Sequence, residues 1–312
     1  MHFSLNKYIT VVAFIVLSSF ATRSMAFKEV MHINFQFDKK SLPVANININ
    51  GENQTFIIDT GSTTALHLSK NVSSKISGLV IEPEKFRSTD LAGKVFFNEK
   101  FKIPQISING MVFNNIKGIS LTPWGMSLTQ KDTTSTSDNS LSTSDNYLPT
   151  SMVIGLDLFK GKVVLVDYKN QRLSVSDNLQ ALGINTDDSW SKLPLILTQE
   201  GAIVKVTQNA KSYNMILDTA STISIFWKKR IKSVPVNIPC QAVLESMKNE
   251  GCTASTFQLE NTGVKKIKLN SVLLDGDFNQ LNADGIIGNN FFKKHIILID
   301  FVSNQLLIKE IS

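Results

Sequence analysis

Two aspartates stand in matching surroundings. Asp59 closes the apolar run Phe56-Ile57-Ile58 and precedes Thr60-Gly61-Ser62; Asp218 closes Met215-Ile216-Leu217 and precedes Thr219-Ala220-Ser221. An acid at the end of a buried strand is costly to ionise unless it is hydrogen-bonded. The turn N–H groups and the Thr and Ser hydroxyls are the donors at hand. Two such carboxylates brought together cannot both ionise freely, because like charges repel in a shielded site. One proton is then shared. The charged partner can take a proton from a water attacking a peptide carbonyl, and the protonated partner can donate to the carbonyl oxygen. This chemistry needs no metal, no cofactor and no nucleophilic side chain.

What must bring the two acids together is an internal repeat. Phe56 to Thr63 corresponds to Met215 to Thr222 at an offset of 159 residues. A second match, Val153-Ile154-Gly155-Leu156 with Ile286-Ile287-Gly288-Asn289, has an offset of 133 and runs on through Val163-Val164-Leu165-Val166-Asp167 against Ile296-Ile297-Leu298-Ile299-Asp300. Asp167 and Asp300 also repeat, but each closes an apolar strand before a turn and is expected to cap it. Asp157 faces Asn290 in the repeat, so it forms no acid pair.

The offsets differ by 26 residues, which the first half carries as extra chain between its motifs. The polar stretch 127–150 supplies it, with Ser135-Thr136-Ser137-Asp138-Asn139 recurring as Ser142-Thr143-Ser144-Asp145-Asn146, and reads as a flexible surface insert. Most other segments read as short strands, including Met31 to Phe37, Val44 to Ile49, Lys102 to Ile108 and Ile203 to Val206. Ala242 to Lys248 is a short helix candidate. The expected organisation is a segment 1–26 removed on export, an N-terminal lobe 27–180, a linker 181–192 and a C-terminal lobe 193–312.

The export reading rests on Lys7, the apolar run Tyr8 to Ala21 and the small-x-small end Ser24-Met25-Ala26, with cleavage after Ala26. Losing Lys7 and Arg23 lowers the formal charge from +6 to +4. The remaining Lys and Arg are scattered, apart from Lys228-Lys229-Arg230, which reads as a solvated face. The balance does not describe a nucleic-acid groove. Cys240 and Cys252, the only cysteines, are expected to form one disulfide in an oxidising compartment, periplasmic or extracellular. The mature chain is expected to be monomeric and without a stable membrane anchor. Its four histidines, His2, His32, His67 and His295, show no metal-ligand spacing, and no Gly-x-Ser-x-Gly elbow occurs.

The paired Asp-Thr-Gly-Ser and Asp-Thr-Ala-Ser motifs, each followed by an apolar-Gly segment (Ile154-Gly155, Ile287-Gly288), resemble the pepsin and retropepsin-like aspartic proteases over both halves of the chain. The resemblance implies an all-β, bilobal acid-protease fold with two barrel-like lobes and a cleft that binds protein or peptide as an extended strand. It implies that Asp59 and Asp218 are catalytic and that Thr60 and Thr219 lock the two turns. It assigns Gly61 to the first turn and has Ser62 and Ser221 bond the outer carboxylate oxygens. It makes Gly155 and Gly288 structural. A flap is implied over the cleft, for which Asp90-Leu91-Ala92-Gly93 is the candidate, with Gly251-Cys252 in the equivalent place. Ala220 departs from the family's glycine. Its methyl narrows the backbone angles and adds bulk, which leaves a catalytically weak, peptide-binding relative as the alternative.

Overall fold

The computed structural model describes residues 30–89, 95–121, 127–130, 141–144, 151–186, 189–261, 266–275 and 281–311. The export segment, the flap candidate Asp90 to Gly93 and most of the polar insert lie outside the described residues. Within the insert, Ser127–Gln130 and Leu141–Ser144 pair as an antiparallel ladder.

The protein is all-β and two-lobed, and the repeat is visible in its registers. In the first lobe Pro43–Ile49 and Glu52–Asp59 form a hairpin with Val44 opposite Ile57. In the second, Gly201–Gln208 and Lys211–Leu217 do the same with Ile203 opposite Ile216. Each lobe then threads a short strand beside its hairpin in parallel. Met152–Gly155 lies along Glu52–Asp59, with Gly155 opposite Asp59. Gly285–Ile287 lies along Lys211–Leu217, with Ile287 opposite Leu217. A crossing strand follows in each case, Leu66–Leu68 against Met152–Gly155 and Ile225–Trp227 against Gly285–Ile287. Short closing pairings bend the lobes towards barrels: Ile49 with Ile108 in the first, Val206 with Leu259 and Thr207 with Gln258 in the second.

The lobes are joined by strands that pair with their own repeats. Val163–Asp167 runs antiparallel to His295–Asp300, with Val163 opposite Asp300 and Val166 opposite Ile297. Arg172–Ser176 and Val30–Phe37 extend this sheet on one side. Gln305–Glu310 and Ser191–Pro194 extend it on the other. The arrangement has an approximate twofold axis through the middle pair. Binary patterning explains the placement: in Val30–Phe37, Met31, Ile33 and Phe35 face the core while His32, Asn34 and Gln36 face out. One contiguous apolar core runs from Met31 and Phe56 through Val164 and Ile297 to Tyr213 and Phe257, so the lobes share it.

Asp167 and Asp300 cap turns as expected. Asp167 accepts from the Asn170 N–H at 3.0 Å, and Asp300 from the Val302 and Ser303 N–H groups at 2.8 and 3.0 Å. Two expectations do not hold. Residues 242–248 form no α-helix; a 3-10 turn spans Cys240–Ala242 and irregular chain follows. Val243 is the one buried side chain of that stretch, too little apolar surface to dock a short helix. Nor is Lys228-Lys229-Arg230 simply solvated. Lys228 pairs with Asp275 at 3.1 Å, and the Arg230 guanidinium donates to the carbonyls of Leu281 and Ala283.

Candidate active site

Both acids are delivered by the same construction. Three apolar residues, Phe56 to Ile58 or Met215 to Leu217, are buried in their lobe, so the next residue emerges where the strand leaves the core. The chain then turns sharply. The Gly61 and Ser62 N–H groups donate to Asp59 Oδ1 at 2.9 and 3.1 Å. The Ala220 N–H donates to Asp218 Oδ1 at 2.7 Å.

The two turns are locked to each other through the threonines. Thr60 Oγ1 donates to the Leu217 carbonyl at 2.8 Å, and Thr219 Oγ1 donates to the Ile58 carbonyl at 2.7 Å. Each hydroxyl also accepts the backbone N–H of the opposite threonine. All these groups are buried, where hydrogen bonds are geometrically strict and expensive to leave unmade.

Glycine is required beside the turns for a stated reason. A methyl built on Gly155 would stand 2.0 Å from the Thr64 carbonyl oxygen, and one on Gly288 would stand 2.3 Å from that of Ile223. The next N–H in each segment, of Leu156 or Asn289, donates to the Ser62 or Ser221 carbonyl at 2.8 Å. These segments therefore clamp the far side of each turn. Gly61 is confined from another direction: a methyl there would stand 2.6 Å from Asp218 Cγ. By the approximate twofold, position 220 faces Asp59, and there the chain carries the methyl of Ala220.

Asp59 and Asp218 lie close enough to shift each other's ionisation. Burial, then repulsion from Asp218, pushes Asp59 well above the ordinary carboxylate value. Burial also raises Asp218, opposed by the Ala220 N–H, the Asp59 hydrogen bond and the Ser221 N–H. Both carboxyls are thus raised, and the pair holds a proton more readily than two isolated acids would.

The serine hydroxyls are not where the resemblance puts them. The Ser62 backbone N–H reaches Asp59, while its Oγ lies 2.9 Å from His67 Nε2. Ser221 Oγ donates to the Ile223 carbonyl at 2.8 Å. In the second turn the i+2 carbonyl curls back and claims the hydroxyl; in the first the nearer partner is the His67 ring.

Three neighbouring polar residues escape a reading of motifs. Tyr168 is buried, donates to Asn289 Oδ1 at 2.7 Å and lies 3.4 Å from the Thr219 carbonyl oxygen. Burial and the two nearby aspartates hold its hydroxyl well above the ordinary phenol value, so it remains a donor. Asn289 in turn donates to the Ser41 carbonyl at 2.7 Å. His67, on the strand after the first turn, is pushed down to about 4 by burial. Each departs from the repeat, which has Phe301, Leu156 and Ile225 at the matching positions. A polar residue replacing an apolar one between repeats is the signal that could have found them.

Over the flap candidate, the flanking strands Val80–Thr89 and Val95–Ile108 pair up to Thr89 opposite Val95. In the second lobe Cys240 and Cys252 form a disulfide. Among the described residues no helix is long and apolar enough to cross a membrane.

Residues 45–145 match the aspartyl protease family model. No curated protein matches the chain. An aspartic proteinase from Irpex lacteus is similar in structure, with a TM-score of 0.51 and 13% identity over 91% of this chain and 98% of that one. Basic 7S globulin from soybean overlaps with a TM-score of 0.48 and 11% identity over 91% and 95% of the two chains. The resemblance to the pepsin and retropepsin-like aspartic proteases therefore holds in the family match over the first lobe and in the bilobal acid-protease fold of the whole.

Proposed function

We propose that the chain is an exported aspartic endopeptidase that hydrolyses peptide bonds with a water activated between Asp59 and Asp218. The observation that carries the reading is the pair of carboxyls, both raised by burial and brought together by two turns interlocked through Thr60 and Thr219.

In this reading the pair shares one proton, which we assign to Asp59. Ionised Asp218 takes a proton from water as the water oxygen attacks the peptide carbonyl carbon. Asp59 gives its proton to the carbonyl oxygen, which avoids a naked oxyanion. The tetrahedral diol collapses when Asp218 returns its proton to the amide nitrogen and the C–N bond breaks. Asp59 recovers a proton from the diol hydroxyl, which resets the pair. A substrate lying as an extended strand between the lobes would present its carbonyl to this pair. The disulfide supports an oxidising destination, as does the signal-like N-terminus.

A second reading, a weak or inactive relative that binds extended peptides, is favoured by one observation: Ala220 carries a methyl where the first turn has Gly61, a position at which a methyl would crowd the opposite carboxyl. Incubating the mature chain with an unfolded protein from pH 3 to 7 separates the two. Cleavage abolished by Asp59→Asn and by Asp218→Asn supports the peptidase; peptide binding without cleavage supports the relative.

A further inference from the structure

The two catalytic turns anchor their serines differently. In the second turn Ser221 Oγ donates to the Ile223 carbonyl at 2.8 Å. In the first, the matching distance, from Ser62 Oγ to the Thr64 carbonyl oxygen, is 3.4 Å, and His67 Nε2 stands at 2.9 Å instead. In the second lobe Ile225 takes the place of His67, pairing with Ile286 as His67 pairs with Val153. A backbone carbonyl can only accept, whereas an imidazole nitrogen accepts when neutral and donates when protonated. The same Ser62 supplies a backbone N–H to Asp59 Oδ1 at 3.1 Å.

We infer that His67 is a positioning residue of the first turn, accepting the Ser62 hydroxyl at Nε2 and so keeping that donor away from Asp59. The inference rests on the peptidase reading for its kinetic consequences. With the hydroxyl held by His67, Asp59 has backbone donors but no hydroxyl donor to stabilise its charged form, and it keeps its proton for the carbonyl oxygen. Protonating His67 reverses the bond: Nε2 now donates to Ser62 Oγ. The released hydroxyl hydrogen then turns to the Thr64 carbonyl or to Asp59, where it favours the ionised carboxylate and lowers the share of Asp59 that holds a proton to give.

The surroundings of His67 leave few other groups to drive this. Its strand neighbour Met152–Gly155 carries no titratable side chain. Its other neighbour, Met111–Ser120, carries Lys117, which is exposed. The turn below carries Asp59, and the short helix Lys70–Ser73 after it carries Lys70, also exposed. Burial is the cause that holds His67 neutral down to about pH 4.

The test has two arms on the mature chain. A nitrogen-15 NMR titration of His67 is expected to show an unprotonated Nε2 above the midpoint. In Ser62→Ala the midpoint should rise by about half a unit or more, because a bond favouring the neutral ring is gone. A protonated Nε2 in the neutral ring, or an unchanged midpoint in Ser62→Ala, overturns the inference. In kinetics, His67→Phe removes the acceptor and is expected to lower kcat about tenfold with KM little changed. His67→Gln, which can still accept from Ser62, should recover most of that loss while the acid limb of the pH profile loses its step near pH 4. Parental kcat in His67→Phe, or a persisting step in His67→Gln, overturns it. A parent without peptidase activity would count against the peptidase reading alone, since the titration arm needs no turnover.

Discussion

The backbone N–H of Thr60 donates to Thr219 Oγ1 at 3.0 Å, and the backbone N–H of Thr219 donates to Thr60 Oγ1 at the same distance. Two residues 159 apart in sequence thereby fix the separation of the acids that precede them. Thr60→Val keeps the shape and removes the hydroxyl. It leaves the Thr219 N–H and the Leu217 carbonyl without these partners in the buried interface, at about 1–3 kcal/mol each. Urea unfolding should show a loss of about 2–5 kcal/mol, with Thr60→Ser much closer to the parent. A Thr60→Val variant as stable as the parent would mean that the lock does not hold the lobes.

The glycine and alanine of the two turns should not be exchangeable. Gly61→Ala would place a methyl 2.6 Å from Asp218 Cγ, so the carboxylate must move. Displacement of about 1 Å at reacting groups costs on the order of 100-fold in rate, and kcat should fall by that order. Ala220→Gly copies the first turn and should raise kcat, at about 0.5–1 kcal/mol of stability lost to backbone freedom. Steady-state kinetics with denaturant titration checks both. Equal kcat values in Gly61→Ala and the parent would contradict this reading.

Much of this was legible in the repeat. The offsets of 159 and 133 residues announce a two-lobed molecule, and the registers of Glu52–Asp59 with Met152–Gly155 and of Lys211–Leu217 with Gly285–Ile287 realise them residue for residue. The turn positions of Asp59 and Asp218 follow from three apolar residues ending in an acid. What could not be read was where side chains point at the ends of those turns. Ser62 and Ser221 look alike in sequence, yet their hydroxyls are claimed by His67 and by the Ile223 carbonyl. The helix expected over 242–248 failed because local propensity says nothing of what its face would pack on.

Two opposed pH dependences are built into the site. Asp59 and Asp218 are raised above 3.8, so the folded state holds protons more tightly there than the unfolded state. Their stabilising contribution is complete below about pH 3.8 and is lost as pH rises through the folded values. His67 is lowered from 6.5 to about 4, so its neutral form contributes fully above pH 6.5 and that contribution is lost as pH falls towards 4. The span corresponds to about 3 kcal/mol at most. Thermal unfolding from pH 4 to 6.5 should therefore rise with pH in the double variant Asp59→Asn, Asp218→Asn. It should fall with pH in His67→Gln. Parallel profiles in the two variants would be inconsistent with these assignments.

The Cys240–Cys252 disulfide closes a loop with a sequence separation of 12 in the second lobe. Chain-entropy arguments give about 3 kcal/mol for a loop of this size. Reduction, or Cys240→Ser with Cys252→Ser, should lower stability by about that amount while leaving the Asp59 turn intact. Calorimetry with and without reductant checks it; an unchanged melting temperature would show that the loop is held by its packing alone.

The central claim is that Asp59 and Asp218 act as one acid–base pair on a peptide bond. The most direct measurement is cleavage of an unfolded protein by the mature chain across pH 3 to 7, beside Asp59→Asn and Asp218→Asn. Cleavage in acid solution by the parent, with each single substitution lowering the rate by several orders of magnitude, is the predicted result. Cleavage that survives either substitution would contradict it.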